Sequence, residues 1–131
     1  MPEKSIADKL MIKPGQSLLV VNAPKGFVEE NLGKLPEKAR VVENRVKGEV
    51  DVIQVFVDSQ KAAEDQLSRL KNQLKKPDGK LWVTYPKGTS GMKADVNRDT
   101  TRKFAPSIGL EAIAIFSMDE NWSALRLKHT D

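Results

Sequence analysis

Residues 110–117 read LEAIAIFS and residues 122–128 read WSALRLK, with Met118-Asp119-Glu120-Asn121 between them. Both runs are rich in strand-forming residues, and a four-residue connection suits an antiparallel hairpin. In the second run the period of two sets Trp122 and Arg126 on one face and Leu125 and Leu127 on the other. The elements upstream decide what kind of sheet this hairpin closes.

Upstream, Lys80 to Tyr85 (KLWVTY) is a strand that follows the break Pro77-Asp78-Gly79, and Asn97 can cap a helix running to Phe104, with Gly109 as a stop. Asp58-Ser59 offers a second cap, and Ala63, Leu67, Leu70 and Leu74 then recur at helical intervals among polar residues. Ser17 to Asn22 (SLLVVN) is a continuous apolar run bounded by turn residues, as in a strand buried on both faces. Gly26 to Leu35 reads as a helix through Phe27, Val28, Leu32 and Leu35, and Ser5 to Met11 as a short lead-in helix. Ala39 to Glu43 and Val50 to Val57 are two further strands. The six residues Asn44 to Glu49 between them are too few for a crossover helix, which leaves a hairpin or a bare extended return between parallel strands. The bare return is favoured because both strands read as buried.

Strands alternating with helices imply a mostly parallel sheet covered on both faces, here closed by the antiparallel hairpin. The resulting expectation is a single α/β domain over residues 1–131, a trimmed Rossmann-like three-layer sandwich. The terminal hairpin is the arrangement of class I S-adenosylmethionine-dependent methyltransferases, with the usual third strand and its helix missing. Chain length supports one domain and a substantial core.

The composition narrows the chemistry. There is no cysteine, which excludes thiol catalysis, Cys-ligated metals and a disulfide scaffold. The one histidine, His129, lies next to the C-terminus, which removes His-based triads and His-rich metal sites. Lys and Arg number 22 against 18 Asp and Glu, interleaved with them, and the few aromatics form no base-stacking array. Nucleic acid is therefore a disfavoured partner. No apolar run approaches membrane-span length, so a cytoplasmic protein without a membrane partner is expected.

At Val21-Asn22-Ala23-Pro24-Lys25-Gly26-Phe27, at Leu81-Trp82-Val83-Thr84-Tyr85-Pro86-Lys87 with Ser90-Gly91, and at Asp119-Glu120-Asn121-Trp122-Ser123-Ala124-Leu125-Arg126-Leu127, the chain resembles a family of small bacterial proteins. That family is the domain of unknown function thirty fifty-two. The resemblance covers nearly the whole chain and implies the methyltransferase-like fold, without bringing an activity or a catalytic residue. Against the methyltransferase pattern, Asn22 stands where the first strand would end in an acid, Pro24 occupies the bend and only Gly26 remains of the glycines. Glu43 lies where a ribose-binding acid would follow the second strand.

In an open α/β sheet, ligands bind beyond the carboxyl ends of the strands, here at Asn22 to Gly26, Asp58-Ser59 and Pro86 to Lys93. Lys25 and Gly26 open the expected second helix, whose free N–H groups would favour an anion, and Lys87 would add charge from the neighbouring strand. Lys87 to Lys93 (KGTSGMK) fails the phosphate-loop spacing and reads instead as a loop that closes over a ligand, with Ser90 within it. Ser90 to Lys93 fits a serine–lysine pattern that Ser68 to Lys71 also fits, so the pattern carries no weight. Asp95, Asn97 and Asp99 imitate a calcium loop but lack its glycine and closing glutamate, and read as a capped helix start. Trp122 reads as core packing, with a ligand-stacking role as the sharper option.

The sequence thus points to a non-catalytic small-ligand module that takes an anion or nucleotide fragment through Asn22, Lys25, Gly26, Lys87, Ser90 and Trp122. The alternatives are a protein-interaction module or homodimer, through an edge strand or the final hairpin, and a degenerate methyltransferase-like enzyme. No catalytic residue, metal or cofactor is assigned.

Overall fold

The computed structural model describes residues 6–45, 47–76, 78–87, 95–118 and 121–130. Six strands form one sheet: β1 (Ser17–Val21), β2 (Arg40–Glu43), β3 (Val52–Phe56), β4 (Lys80–Pro86), β5 (Leu110–Ser117) and β6 (Trp122–His129). Their order is β2-β1-β3-β4-β6-β5. β2, β1, β3 and β4 run parallel, whereas β6 pairs antiparallel with both β4 and β5. This is the trimmed methyltransferase-like Rossmann arrangement that the element order implies.

Strand alternation sorts the core into two halves. Leu19, Ile53, Val55, Leu81, Val83, Leu125 and Leu127 point to one face, where Ala63, Leu67 and Leu70 of α2 (Gln60–Leu70) cover them. Leu18, Val20, Val52, Phe56, Trp82 and Ala124 point to the other, beneath Ala7 of α1 (Ile6–Lys9), Leu10 and Phe27. Each buried Val, Leu, Ile or Phe among them contributes about 1.5–3 kcal/mol by leaving water. Trp82 also donates its indole N–H to the carbonyl of Leu10 at 3.1 Å, which fixes the lead-in segment against the sheet.

The return from β2 to β3 is the bare link, with no helix among its described residues. It lands through backbone bonds in both directions with the end of the α2 segment, Val50 N–H to the Gln73 carbonyl and Lys75 N–H to the Val50 carbonyl. Asp51 then accepts from the N–H and the hydroxyl of Ser17 at 3.0 and 3.2 Å and faces Lys75 at 3.2 Å. The start of β1, the start of β3 and the end of the α2 segment meet at this one carboxylate.

Several boundaries differ from the sequence expectation. The helix expected over 26–35 is one π-helical turn, Phe27–Asn31. Its apolar residues anchor it at two points, Phe27 and Leu32, with left-handed glycines at Gly26 (φ 80°) and Gly33 (φ 92°) on either side. The spacing therefore marked two anchors and not a continuous stripe. α2 stops at Leu70, a 3₁₀ turn spans Lys71–Gln73, and buried Leu74 follows in extended backbone. β2 is not buried: it is an edge strand, exposed at Arg40 and Glu43. α3 (Arg98–Phe104) begins as expected, with Asn97 and Thr100 forming a reciprocal capping box. β5 is the opposite edge, and its register shifts between Ala112 and Ala114, so Ile113 forms a bulge.

Candidate functional site

β1 and β3 lie side by side, but the chain leaves β1 toward β2 and leaves β3 toward β4. That divergence opens a crevice at their carboxyl ends, the ordinary ligand position of such sheets. Here it is a cleft of about 290 Å³ lined by Asn22, Phe56, Val57, Asp58, Ala62 and Trp122. This volume is at the lower end of the roughly 300–1,000 Å³ typical of small-molecule sites.

Each wall has a local cause. Asn22 ends β1 in left-handed backbone (φ 58°), a conformation that asparagine tolerates better than most residues, and its N–H donates to the side-chain oxygen of Asn44 at 3.0 Å. Val57 N–H bonds the Thr84 carbonyl at 2.9 Å, carrying the β3 direction one residue past the strand and presenting exposed Asp58 at the mouth. Ser59 then caps α2, its hydroxyl accepting the Ala62 N–H at 3.1 Å. Trp122 enters from the start of β6, opposite Pro86. Its ring meets Phe56 edge-to-face at 5.2 Å, and Phe56 meets Phe27 in the same manner at 4.9 Å. Trp122 therefore belongs to an aromatic row and also lines the cleft.

Of the residues singled out by sequence, Asn22 and Trp122 share this cleft. Lys25 is exposed and Gly26 half-buried, and neither lines it. Around Gly26 the turn is closed on itself: Phe27 N–H donates to the Pro24 carbonyl and Glu30 N–H to that of Gly26. A Cβ at Gly26 would sit 3.2 Å from a Glu30 carboxylate oxygen, so an acid already lies over the turn where an anion was expected. Lys87 lines a different cleft of about 440 Å³, beside α3, with Tyr85, Asn97 and Ile115. Its ammonium donates to the Ser117 hydroxyl and its N–H to the Asn121 carbonyl. Ser90 lies outside the described residues. Glu43 ends β2, exposed and away from the lining. Sequence reasoning passed over Phe56 and Ala62; the available signal was that the last inward residue of β3 and the first turn of α2 must border any crevice there.

The chemistry of the lining is one carboxylate, one amide and two aromatic rings, with no cation. It can accept hydrogen bonds, pack a flat group against ring edges and stabilise positive charge. Among the described residues there is no cluster of three potential metal ligands and no helix long and apolar enough to cross a membrane.

No protein-family model and no curated protein matches the chain. Solved structures do match. The ribosomal protein L11 methylase of Lactobacillus delbrueckii subsp. bulgaricus superposes with a TM-score of 0.66 at 12% identity, over 95% of this chain and 75% of that one. A SAM-dependent methyltransferase from Aquifex aeolicus gives 0.60 at 13% identity, over 92% and 85%. The fibrillarin pre-rRNA processing protein of Methanococcus jannaschii gives 0.65 at 12% identity, over 92% and 69%. At such identities the likeness is one of fold.

Proposed function

We propose that this chain is a degenerate methyltransferase-like domain that binds the adenosyl portion of an S-adenosylmethionine-type ligand in the strand-end cleft and does not transfer the methyl group. The observation that carries the reading is the lining itself, Phe56 and Trp122 with Asp58 and Asn22 at the β1/β3 divergence. A purine packs against the aromatic edges, Asp58 accepts from ribose hydroxyls or faces a sulfonium charge, and the Asn22 side chain offers both a donor and an acceptor. When bound, S-adenosylmethionine supplies an electrophilic methyl group. The fit is partial: the cleft is small, and Pro24 and Glu30 occupy the turn where the amino-acid end of the ligand would need close backbone approach. Binding without transfer is assigned because the one carboxylate of the lining, Asp58, is taken up by the ligand's ribose or sulfonium, which leaves the lining no second base for an acceptor.

The test is a thermal-unfolding series with S-adenosylmethionine, S-adenosylhomocysteine, 5′-methylthioadenosine and adenosine, repeated on Trp122→Ala and Asp58→Asn. A ligand at about 100 times its dissociation constant adds roughly 2.7 kcal/mol, which raises the midpoint by several degrees. Both substitutions should abolish that rise. No rise with any of the four would end this reading, and methyl transfer to an added acceptor would end its non-catalytic half.

A second reading, a homodimer, is favoured by β5, an edge strand with Ile113 and Ile115 more than 40% exposed. Sedimentation equilibrium distinguishes a dimer from a monomer directly. We also read the chain as a member of the thirty fifty-two family: two stretches of that resemblance meet where Leu81–Pro86 of β4 pairs with Trp122–Leu127 of β6.

A further inference from the structure

At the opposite end of the sheet, where β4 begins and β6 ends, a cleft of about 680 Å³ is bordered by Lys13, Lys80, Arg126 and Lys128, with Met11 and Ile113 as apolar rim. Lys80 is only 6% exposed, and its ammonium makes neither a hydrogen bond nor an ion pair with any described residue. Arg126 follows on the adjacent strand, on the same face as Trp82, its register partner. Its Nε is buried without an acceptor, and its Nη1 points at the Met11 sulfur, 3.6 Å away. Asp78 and Asp51 attract the Lys80 charge without a direct ion pair, so the cost of burying it is offset only in part. Two cations thus stand on neighbouring strands, neither in a direct ion pair with a described residue, which favours an anion between them.

We propose that this cleft binds the phosphate group of a small organic phosphate, held by Lys80 and Arg126. The charge balance selects the ligand class. Four cationic side chains border the cleft; Asp78 at the rim and Glu111, 3.3 Å from Lys128, offset two of them, and Asp51, which also acts on Lys80, is itself offset by Lys75. The remainder of about two positive charges matches the roughly −1.5 to −2 of a phosphomonoester at neutral pH better than it matches a single carboxylate. Arg126 contributes a planar fork suited to two phosphate oxygens, and Lys80 a point charge. His129 closes the floor with Nε2 donating to the Leu74 carbonyl at 2.9 Å. The volume is that of a small-molecule site, and Met11 and Ile113, 47% and 43% exposed, give the ligand's apolar body a surface. Burial, with repulsion from Arg126 and Lys13, outweighs attraction by Asp78 and Asp51 and lowers the Lys80 pKa. This site stands apart from the strand-end cleft and does not depend on its ligand.

The experiment is calorimetric titration with phenyl phosphate, inorganic phosphate and benzyl alcohol, on the wild-type chain and on Lys80→Met, Arg126→Met and Arg126→Lys. Phenyl phosphate should bind tightest, inorganic phosphate more weakly, and benzyl alcohol not at all. Each methionine variant should lose about tenfold or more in affinity, as expected for removing a charged hydrogen-bond donor. Arg126→Lys, which keeps the charge, should fall between. Lys80→Met should melt no lower than wild type, since it removes a buried charge that has no direct ion pair with a described residue. Trp122→Ala should bind phenyl phosphate unchanged, which separates this site from the strand-end cleft. Equal binding by wild type and Lys80→Met would overturn the proposal, as would the absence of heat from either phosphate at about ten millimolar.

Discussion

The side-chain oxygen of Asn44 accepts the backbone N–H of Asn22 at 3.0 Å, and both residues hold left-handed backbone, at φ 64° and 58°. The Asn44 N–H in turn bonds the Val20 carbonyl at 2.7 Å, so the ends of β1 and β2 are tied twice. Asn44→Ala removes the side-chain bond and forces a Cβ residue less tolerant of that conformation into it. A loss of about 2 kcal/mol in urea unfolding is expected. Asn44→Gly, which keeps the backbone freedom, should cost about half as much.

Asp51 governs the acid limb of stability. Burial alone would raise its carboxyl, but the Ser17 N–H and hydroxyl and the Lys75 ammonium outweigh burial and hold its pKa below the ordinary value. A depressed carboxyl in the folded state stabilises fully above the unfolded value, near 3.9, and the contribution disappears as pH falls through the folded value. Asp51→Asn should therefore flatten the decline in melting temperature below about pH 4. At neutral pH, Asp51→Ala should cost about 2 kcal/mol.

Gly79 has no room for a methyl group. A Cβ there would lie 2.4 Å from the Lys75 carbonyl oxygen and 2.6 Å from Leu74 Cγ. Gly79→Ala should displace the start of β4 and cost about 3 kcal/mol, read by chemical denaturation.

Two groups oppose each other in alkali. Burial raises the Tyr85 phenol, with Asp99 adding to the shift and Arg98 opposing it. The unfolded chain then loses its proton first, and stability falls above about pH 10. Lys80, lowered by burial, acts with the opposite sign: the folded chain releases its proton first, so stability rises toward pH ~10.4. Melting curves from pH 9 to 11 should show Tyr85→Phe removing a decline and Lys80→Met steepening one.

Local patterns were legible wherever the chain itself carried the cause. The apolar run before Asn22, the Ser59 cap with its Leu67 and Leu70 stripe, and the hairpin centred on residues 118–121 all stand close to where their spacing puts them. The short 44–49 link left a hairpin or a bare return open; the return is parallel, although β2, whose supposed burial favoured that choice, is an exposed edge. Topology then brought Asn22 and Trp122 to one cleft, as the strand-end rule implies. The turn after Pro24 was less legible, because Phe27 and Leu32 at helical spacing cannot distinguish one anchored turn from three. Lys25 and Lys87 were expected to converge, yet Lys87 lines the cleft beside α3 and bonds Ser117. The basic cleft escaped altogether, because Lys13, Lys80 and Arg126 are distant in sequence and only the strand order brings them together.

The bulge at Ile113 bears on how copies of this chain can accumulate. It divides β5 into Leu110–Ala112 and Ala114–Ser117, so the flat template offered to another molecule is four residues long, beside a bend. The other free edge, β2, is four residues long with Arg40 and Glu43 exposed. Head-to-tail growth would require β5 of one copy to seat on β2 of the next, and that mismatched junction recurs at every step of a filament. Pairing of β5 with itself about a two-fold axis would cover the apolar edge and leave only the short, charged β2 edge free. The bulge thus shortens the flat edge that the two exposed isoleucines would otherwise offer to a strand of another molecule.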